Sequence, residues 1–322
     1  MGGVETYAIL GAKAFINKPD TTILIPRLQG FEEISNYNNV IVDKHYALNK
    51  FSGYIIWIIN NFIKNKELTI ITFNYYTPIL NKKSISTIMD LRPLEQGIIK
   101  KLFFKLNVSY KVLRSNIYYA ISPHVKQEFQ IKFNRKIPYV PTYIENPKVK
   151  IKGDYNFKNY ALIISSDLPH KNLELIYKIE DHLLMNIIII GPTNKKDFKY
   201  NTRKIKHLGF VSESEKLELI IKSNFLIFPT TFEGFGYPVL EAAQFSKQII
   251  CNNLEVFNSL FGDFPIYVNS NTPELWIKQI NQTHLTLINK KSDKKTSKKL
   301  NKNMAYYFDS FRFMKDLLNL QV

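Results

Sequence analysis

Short, almost wholly apolar runs recur through the second half of the chain: Tyr160–Ser165 (YALIIS), Asn186–Gly191 (NIIIIG), Ile205–Val211 (IKHLGFV), Asn224–Pro229 (NFLIFP), Lys247–Asn252 (KQIICN) and Phe264–Val268 (FPIYV). They are strand-sized, and segments with helical apolar spacing such as Asn172–Leu184 and Glu213–Lys222 lie between them. A strand without polar alternation is buried on both faces, so the pattern predicts a parallel sheet covered by helices. Six such strands in alternation with helices form a doubly wound α/β domain.

The first half repeats the theme less regularly. Thr22–Pro26, Val40–Asp43, Leu68–Phe73, Ser86–Asp90 and Asn116–Ser122 read as strands, with helical patterns at Glu5–Ile16 and Tyr54–Ile63. Pro147, Lys148, Lys150, Lys152 and Gly153 interrupt any apolar period over Asn146–Asp154 and mark a linker. The expected organisation is therefore an N-terminal domain over 1–148, a C-terminal domain over 149–303 and a closing helix within 304–322, where Met304–Leu320 returns to helical spacing.

Length agrees with this division, since 322 residues suffice for two α/β domains with separate cores. No apolar run reaches the ~18 residues of a membrane span, and Tyr54–Ile59 is broken by Asn60 and Asn61. The opening residues Met1-Gly2-Gly3-Val4-Glu5 do not read as a secretory leader. A soluble or peripheral protein is expected. Cys251 is the one cysteine, which rules out an internal disulfide and a cysteine-cluster metal site and suits a reducing, cytoplasmic setting. Charge adds a partner class: 44 Lys and Arg against 27 Asp and Glu give +17, so an anionic partner is expected. Nucleic acid, an anionic membrane surface and a phosphate-bearing substrate all fit that sign.

The chemistry concentrates in Glu233–Glu241 (EGFGYPVLE), which follows an apolar strand and leads into a helix. Gly234 and Gly236 let the backbone approach a ligand closely, and Pro238 suits a first helical turn, where its missing N–H costs nothing. The N–H groups of that turn favour an anion such as phosphate. Glu233 and Glu241 flank the turn with seven residues between them. Carboxylates accept hydrogen bonds from vicinal hydroxyls, so a sugar and a ribose bridged by a diphosphate match all three elements. A glycine turn with two solvated glutamates is the plainer alternative. The dinucleotide fingerprint lacks its third glycine, and no P-loop is present. Earlier, Ser165–Asn172 (SSDLPHKN) leaves the first strand of this domain and opens a helix. That places Lys171 near the strand ends, where an ammonium neutralises a diphosphate; an exposed lysine at a helix start is the alternative.

With these residues the chain resembles the retaining GT-B glycosyltransferases of family 4, whose Glu-x7-Glu motif surrounds a glycine turn. Glu233–Glu241 matches that motif, Pro169–Leu173 (PHKNL) the phosphate-binding lysine segment, and Gly209–Ser212 (GFVS) the loop touching the nucleobase. Asn74–Pro78, Thr87–Leu91 and Gly2–Glu5 resemble segments lining the cleft of the N-terminal domain. The resemblance implies two Rossmann-like domains facing across a cleft. It implies transfer of a sugar with retention from a UDP-, GDP- or ADP-sugar to a glycan or lipid-linked acceptor, in cell-surface polysaccharide synthesis such as that of lipopolysaccharide or capsule. Glu233, Lys171 and Asp90 would serve catalysis. The donor would meet Glu241, Gly234, Phe235, Gly236, Tyr237, Val239, Leu240, Ser166, Phe210, Val211 and Gly3. No metal or other cofactor is expected, and no Asp-x-Asp pair occurs.

The pattern departs from the family at three places. Ser166 stands where an arginine is usual, Met89 where a histidine commonly precedes the aspartate, and Gly2-Gly3 lacks the strand that normally leads into it, so the N-terminal sheet is expected without its first strand. Asp90 has a second reading as a cap after its strand. These departures carry the alternative of a degenerate, non-catalytic glycan- or membrane-binding protein; a nucleotide-sugar epimerase fits the Glu233–Glu241 motif less well.

Two basic clusters remain. Arg92, Lys100, Lys101, Lys105, Lys111 and Arg114 surround Ile98, Ile99, Leu102, Phe103, Phe104 and Leu106. This is either a helix docking on an anionic bilayer or one with its apolar side on the sheet and its lysines in water. Lys290, Lys291, Lys294, Lys295, Lys298, Lys299 and Lys302 read as a solvated segment. Without interleaved aromatics or a recognised motif, no nucleic acid is expected as a partner.

Overall fold

The computed structural model describes residues 3–16, 18, 21–26, 34–43, 70–73, 84–95, 97–113, 117–145, 155–192, 202–289, 307 and 309–320. The expected helix Tyr54–Ile63, the segment Asn74–Pro78, the linker, Gly2, Arg114 and the lysine cluster after residue 289 lie outside these residues. Two compact units emerge, one spanning Asn146–Phe308 and the other joining Gly2–Glu145 to Asp309–Val322.

In the N-terminal unit α1 (Gly3–Ala14) precedes β1 (Ile23–Pro26) and β2 (Val40–Asp43), which pair in parallel. A second parallel sheet orders β3 (Ile70–Thr72), β4 (Ser84–Ile88) and β5 (Ile117–Ala120). Between β4 and β5 runs α2 (Ile98–Leu113), and α3 (Pro123–Phe133) follows with Ser122 Oγ accepting from Val125 N. Buried hydroxyls tie these pieces together: Tyr7 Oη lies 2.8 Å from Tyr119 Oη, which lies 2.5 Å from Thr87 Oγ1. Burial pushes the Tyr119 phenol well above its ordinary pKa, so this chain stays neutral.

The C-terminal unit carries one six-stranded sheet, all parallel: β6 (Tyr160–Ile164), β7 (Asn186–Ile190), β8 (Ile205–Gly209), β9 (Phe225–Phe228), β10 (Gln248–Asn252) and β11 (Ile266–Val268). Their spatial order is β11-β10-β9-β6-β7-β8. The chain first winds outward through β7 and β8, then returns to β9 beside β6 and winds the other way, which is the doubly wound topology. Helices α4 (Leu173–Ile179), α5 (Glu213–Lys222), α6 (Tyr237–Gln244) and α7 (Glu255–Phe261) connect strands, and α8 (Pro273–Asn289) follows β11. Ile163, Ile187, Ile189, Phe225, Ile227 and Trp276 are fully buried in one cluster, which is why the strands carry no polar alternation.

Three expectations are corrected. The helix read over Asn172–Leu184 stops at Ile179 and tightens into a 3-10 turn at Glu180–His182. The cause is Glu180, whose buried carboxylate accepts from Lys204 N at 2.7 Å and from the Thr202 hydroxyl. The strand read over Ser86–Asp90 occupies Ser84–Ile88 instead, because Asp90 turns out of the sheet to accept from Arg92 N at 3.0 Å. The closing helix, α9 (Ser310–Asn319), belongs to the N-terminal unit: the Phe313 ring lies 6.2 Å from Tyr7 and 5.3 Å from Tyr143.

Gly191 ends β7 at φ +139°, and a Cβ there would sit 2.0 Å from Ser165 O. Gly209 has φ +71° with open space around it. Gly191→Ala is therefore expected to cost well beyond the ~1 kcal/mol of an average substitution, whereas Gly209→Ala should lose only about 1–2 kcal/mol of left-handed backbone strain. Thermal denaturation of both variants distinguishes the two; equal losses would show that the Ser165 carbonyl yields freely.

Candidate functional site

The site is set by where β6 and β9 end. They are neighbours in the sheet, but the chain leaves β6 toward β7 on one side and β9 toward β10 on the other. Loops diverging from adjacent parallel strands leave a crevice at the carboxyl edge, the switch point of a doubly wound sheet. Ser165–Asn172 forms one wall and Pro229–Gly236 the other.

Backbone hydrogen bonds lock the two loops together. His170 O accepts from Thr231 N at 2.7 Å and from Thr230 Oγ1 at 3.0 Å. Asn252, buried at the end of β10, donates its side-chain amide to Pro229 O and Thr230 O at 2.8 Å each. Asn172 adopts a left-handed conformation (φ 55°), which ends the 3-10 turn Pro169–Lys171 and starts α4. These constraints bring Lys171 to Glu233, sixty-two residues later, as a direct ion pair with both side chains mostly shielded from solvent. Lys171 Nζ also stands 5.6 Å from the centroid of the Phe228 ring, a cation–π contact.

After Glu233 the chain turns at Gly236, whose φ of 98° makes it the N-cap of α6. A Cβ at Gly236 would approach Phe257 Cε1 to 2.7 Å, so both conformation and space require glycine. A glycine cap offers no side-chain oxygen to the first turn of α6, and none caps it. Phe235, Tyr237, Val239 and Leu240 are buried and anchor the turn; the Phe235 ring lies 5.0 Å from Tyr237 and 5.9 Å from Tyr307.

Glu241 sits in the second turn of α6, paired with Lys216 of α5: Lys216 Nζ donates to Glu241 Oε1 at 2.8 Å and lies 2.9 Å from Glu213 Oε2. Burial by itself lowers the Lys216 pKa, but Glu241 and Glu213 outweigh it, and the ammonium is held above the ordinary lysine value. Lys216 thus stays charged through neutral pH, and its contribution to stability disappears only as pH rises past the normal lysine range.

The other sequence-based candidates divide by unit. Ser166 lies in the β6 loop, and its carbonyl accepts from Ser165 Oγ at 3.0 Å. Phe210 and Val211 follow β8, with Phe210 half exposed. Asp90 and Gly3 belong to the N-terminal unit. Asp90 is nearly buried and engaged by Arg92, through Nε at 3.0 Å and the terminal guanidinium nitrogen at 2.8 Å, which favours its reading as a structural turn residue. Gly3 is the first residue of α1. Sequence reasoning missed Lys216 and Asn252. Lys216 reads as a solvated partner of Glu213 three residues away, and Asn252 as the polar end of a strand, because their true partners are distant in the chain.

Removing Lys216 leaves Glu241 without its cation. Lys216→Met is expected to cost about 3 kcal/mol, the lower range for stranding a buried charge. Adding Glu241→Gln should recover much of that loss, a coupling read from thermal or urea denaturation of the single and double variants. Additive losses would show that the pair carries no interaction energy.

With the geometry established, comparison with known proteins gives it a context. Residues 146–303 match the family model described as glycosyl transferases group 1. The chain is 25% identical to the O-antigen chain mannosyltransferase RfbU of Salmonella typhimurium strain LT2, over 68% of this chain and 66% of that protein, just under two thirds of its length. Among solved structures, Anabaena Alr3699/HepE in complex with UDP and glucose superimposes with a TM-score of 0.77 at 14% identity, covering 99% of this chain and 96% of that one. WaaG, a glycosyltransferase involved in lipopolysaccharide biosynthesis, gives 0.73 at 12% identity, covering 99% and 96%. The protein thus has the GT-B fold, and its C-terminal unit carries the match to glycosyl transferases group 1.

Proposed function

We propose that this protein is a retaining glycosyltransferase of family 4, transferring a hexosyl group from a nucleotide sugar to a glycan or lipid-linked acceptor in cell-surface polysaccharide synthesis. The observation that carries the reading is the Lys171–Glu233 pair beside the glycine N-cap of α6, at the switch point of the sheet. An ammonium, a carboxylate and an uncapped helix start converge there, which suits a phosphorylated sugar better than either half alone.

The chemistry follows from charge. As the bond between the anomeric carbon and the diphosphate oxygen breaks, negative charge gathers on the leaving phosphate. Lys171 and the first turn of α6 stabilise that charge without a metal ion. Glu233 accepts hydrogen bonds from hydroxyls of the transferred sugar, and without donor it neutralises Lys171. Glu241, held in place by Lys216, accepts from the ribose hydroxyls. Phe210 and Val211 border the nucleobase. Ser166 stands beside the diphosphate in place of arginine, so leaving-group stabilisation rests more heavily on Lys171. The donor is a UDP-, GDP- or ADP-sugar. Mannose is favoured by the mannosyltransferase RfbU of Salmonella, and glucose by the Anabaena structure in complex with UDP and glucose. A lipid-carried acceptor would place the reaction at the cytoplasmic face of a membrane.

Glu233→Ala and Lys171→Ala are each expected to lower transfer about 100-fold or more, the scale of losing one transition-state contact. Transfer should survive EDTA. Glu241→Ala should abolish the nucleotide-specific rise in melting temperature seen with the cognate base. Unchanged turnover in the Glu233 or Lys171 variant removes that residue from the mechanism. A well-folded protein stabilised by no nucleotide or nucleotide sugar would sink the transferase reading.

A further inference from the structure

Helix α2 turns a large part of its apolar surface away from the unit that it packs on. It packs on its unit through Phe104, Asn107 and Val108, all buried. Five large apolar residues point elsewhere: Ile98 and Ile99 are each 85% exposed, Leu102 56%, Phe103 38% and Leu106 61%. At about 100° per residue these five span an arc of roughly 140°, opposite the packed face. Lys101 and Lys105 occupy the sector between the exposed stripe and the buried one. Both line a pocket that also holds Lys132 of α3, together with Glu95 and Glu128. Among the described residues no helix is long and apolar enough to cross a membrane, so the stripe is not part of a span.

We infer that α2 docks the protein on an anionic lipid bilayer, its apolar stripe entering the headgroup–acyl boundary and its lysines meeting lipid phosphates. A contiguous apolar surface on one helix of a water-facing unit marks an interaction site. Its chemistry selects the occupant. An apolar arc edged by lysines is the pattern of an interfacial helix lying in the plane of a membrane, and the chain's net charge of +17 adds long-range attraction to an anionic leaflet. A second copy of the chain fits less well, because a two-fold contact through this stripe brings the same lysines of both copies to one interface. The inference stands apart from the transferase reading, since docking needs neither donor nor acceptor.

Sedimentation of the full chain with vesicles tests it directly. Binding is expected to phosphatidylcholine vesicles containing phosphatidylglycerol, weakly or not at all to pure phosphatidylcholine, and less as salt shortens the Debye length. The triple variant Ile99→Ser, Leu102→Ser, Leu106→Ser should weaken partitioning about tenfold or more with an unchanged melting temperature, because all three side chains face outward. The double variant Lys101→Gln, Lys105→Gln should weaken it and flatten the salt dependence. Wild-type protein that stays in the supernatant at low salt, or a triple variant that pellets as well as wild type, overturns the proposal. So does equal binding to neutral vesicles. Self-association that the triple variant abolishes, without vesicle binding, would assign the stripe to a second copy instead.

Discussion

A parallel sheet that winds in both directions must open somewhere, and here it opens between β6 and β9. The two loops leaving those strands cannot fold over one another, yet their backbone groups still need partners. His170 O bridges the two loops by accepting from Thr231 N and Thr230 Oγ1, and the Asn252 amide ties Pro229 O and Thr230 O to the end of β10. Once Pro229–Thr231 is fixed by these bonds, the side chains of Lys171 and Glu233 have little choice but to meet. The Lys171–Glu233 pairing is therefore a consequence of how the sheet satisfies its own polar groups.

Two lysine–glutamate pairs result, and they differ in kind. Lys171–Glu233 joins two loops at the crevice, where the proposed donor would give its phosphate to the cation and its hydroxyls to the carboxylate. Lys216–Glu241 joins two helices, with Glu213 as a third partner, and the ammonium is held above its ordinary pKa. The first pair suits a ligand that exchanges partners during a reaction. The second suits a carboxylate whose position must not change. Placing both glutamates at the ends of one nine-residue segment, Glu233–Glu241, lets a single strand–turn–helix unit supply a mobile and a fixed acceptor.

This division explains what the sequence discloses. The six strands of the C-terminal sheet were legible because burial on both faces leaves unbroken apolar runs such as NIIII and FLIF. The glycine turn was legible because φ of 98° beside Phe257 admits no other residue at position 236. Partners far apart in the chain left no local trace. Glu180 ended a helix early by bonding to Thr202 and Lys204, and Asp90 left its strand to hold Arg92. Neither Lys216 nor Asn252 differs locally from an ordinary surface lysine or strand-end asparagine. The closing helix was legible as a helix but not as part of the N-terminal unit, since the rings that receive Phe313 come from Tyr7, Phe73 and Tyr143.

The same logic bears on α2. Periodicity showed an apolar side and a basic edge, and a helix covering a sheet normally turns its apolar side inward. Here the buried residues among the described side chains of α2 are Phe104, Asn107 and Val108, with Phe104 meeting the Phe133 ring at 6.0 Å. Ile98, Ile99, Leu102 and Leu106 stay more than half exposed. Full burial of a large apolar side chain is worth about 1.5–3 kcal/mol, so these four residues, left mainly in water, represent several kcal/mol that folding does not recover. Lysine or glutamate at the same positions would keep the helix and its packed face. A residue choice that folding neither needs nor rewards is explained by whatever covers it, and an anionic bilayer is the surface that recovers the apolar energy while also satisfying the lysines at its edge.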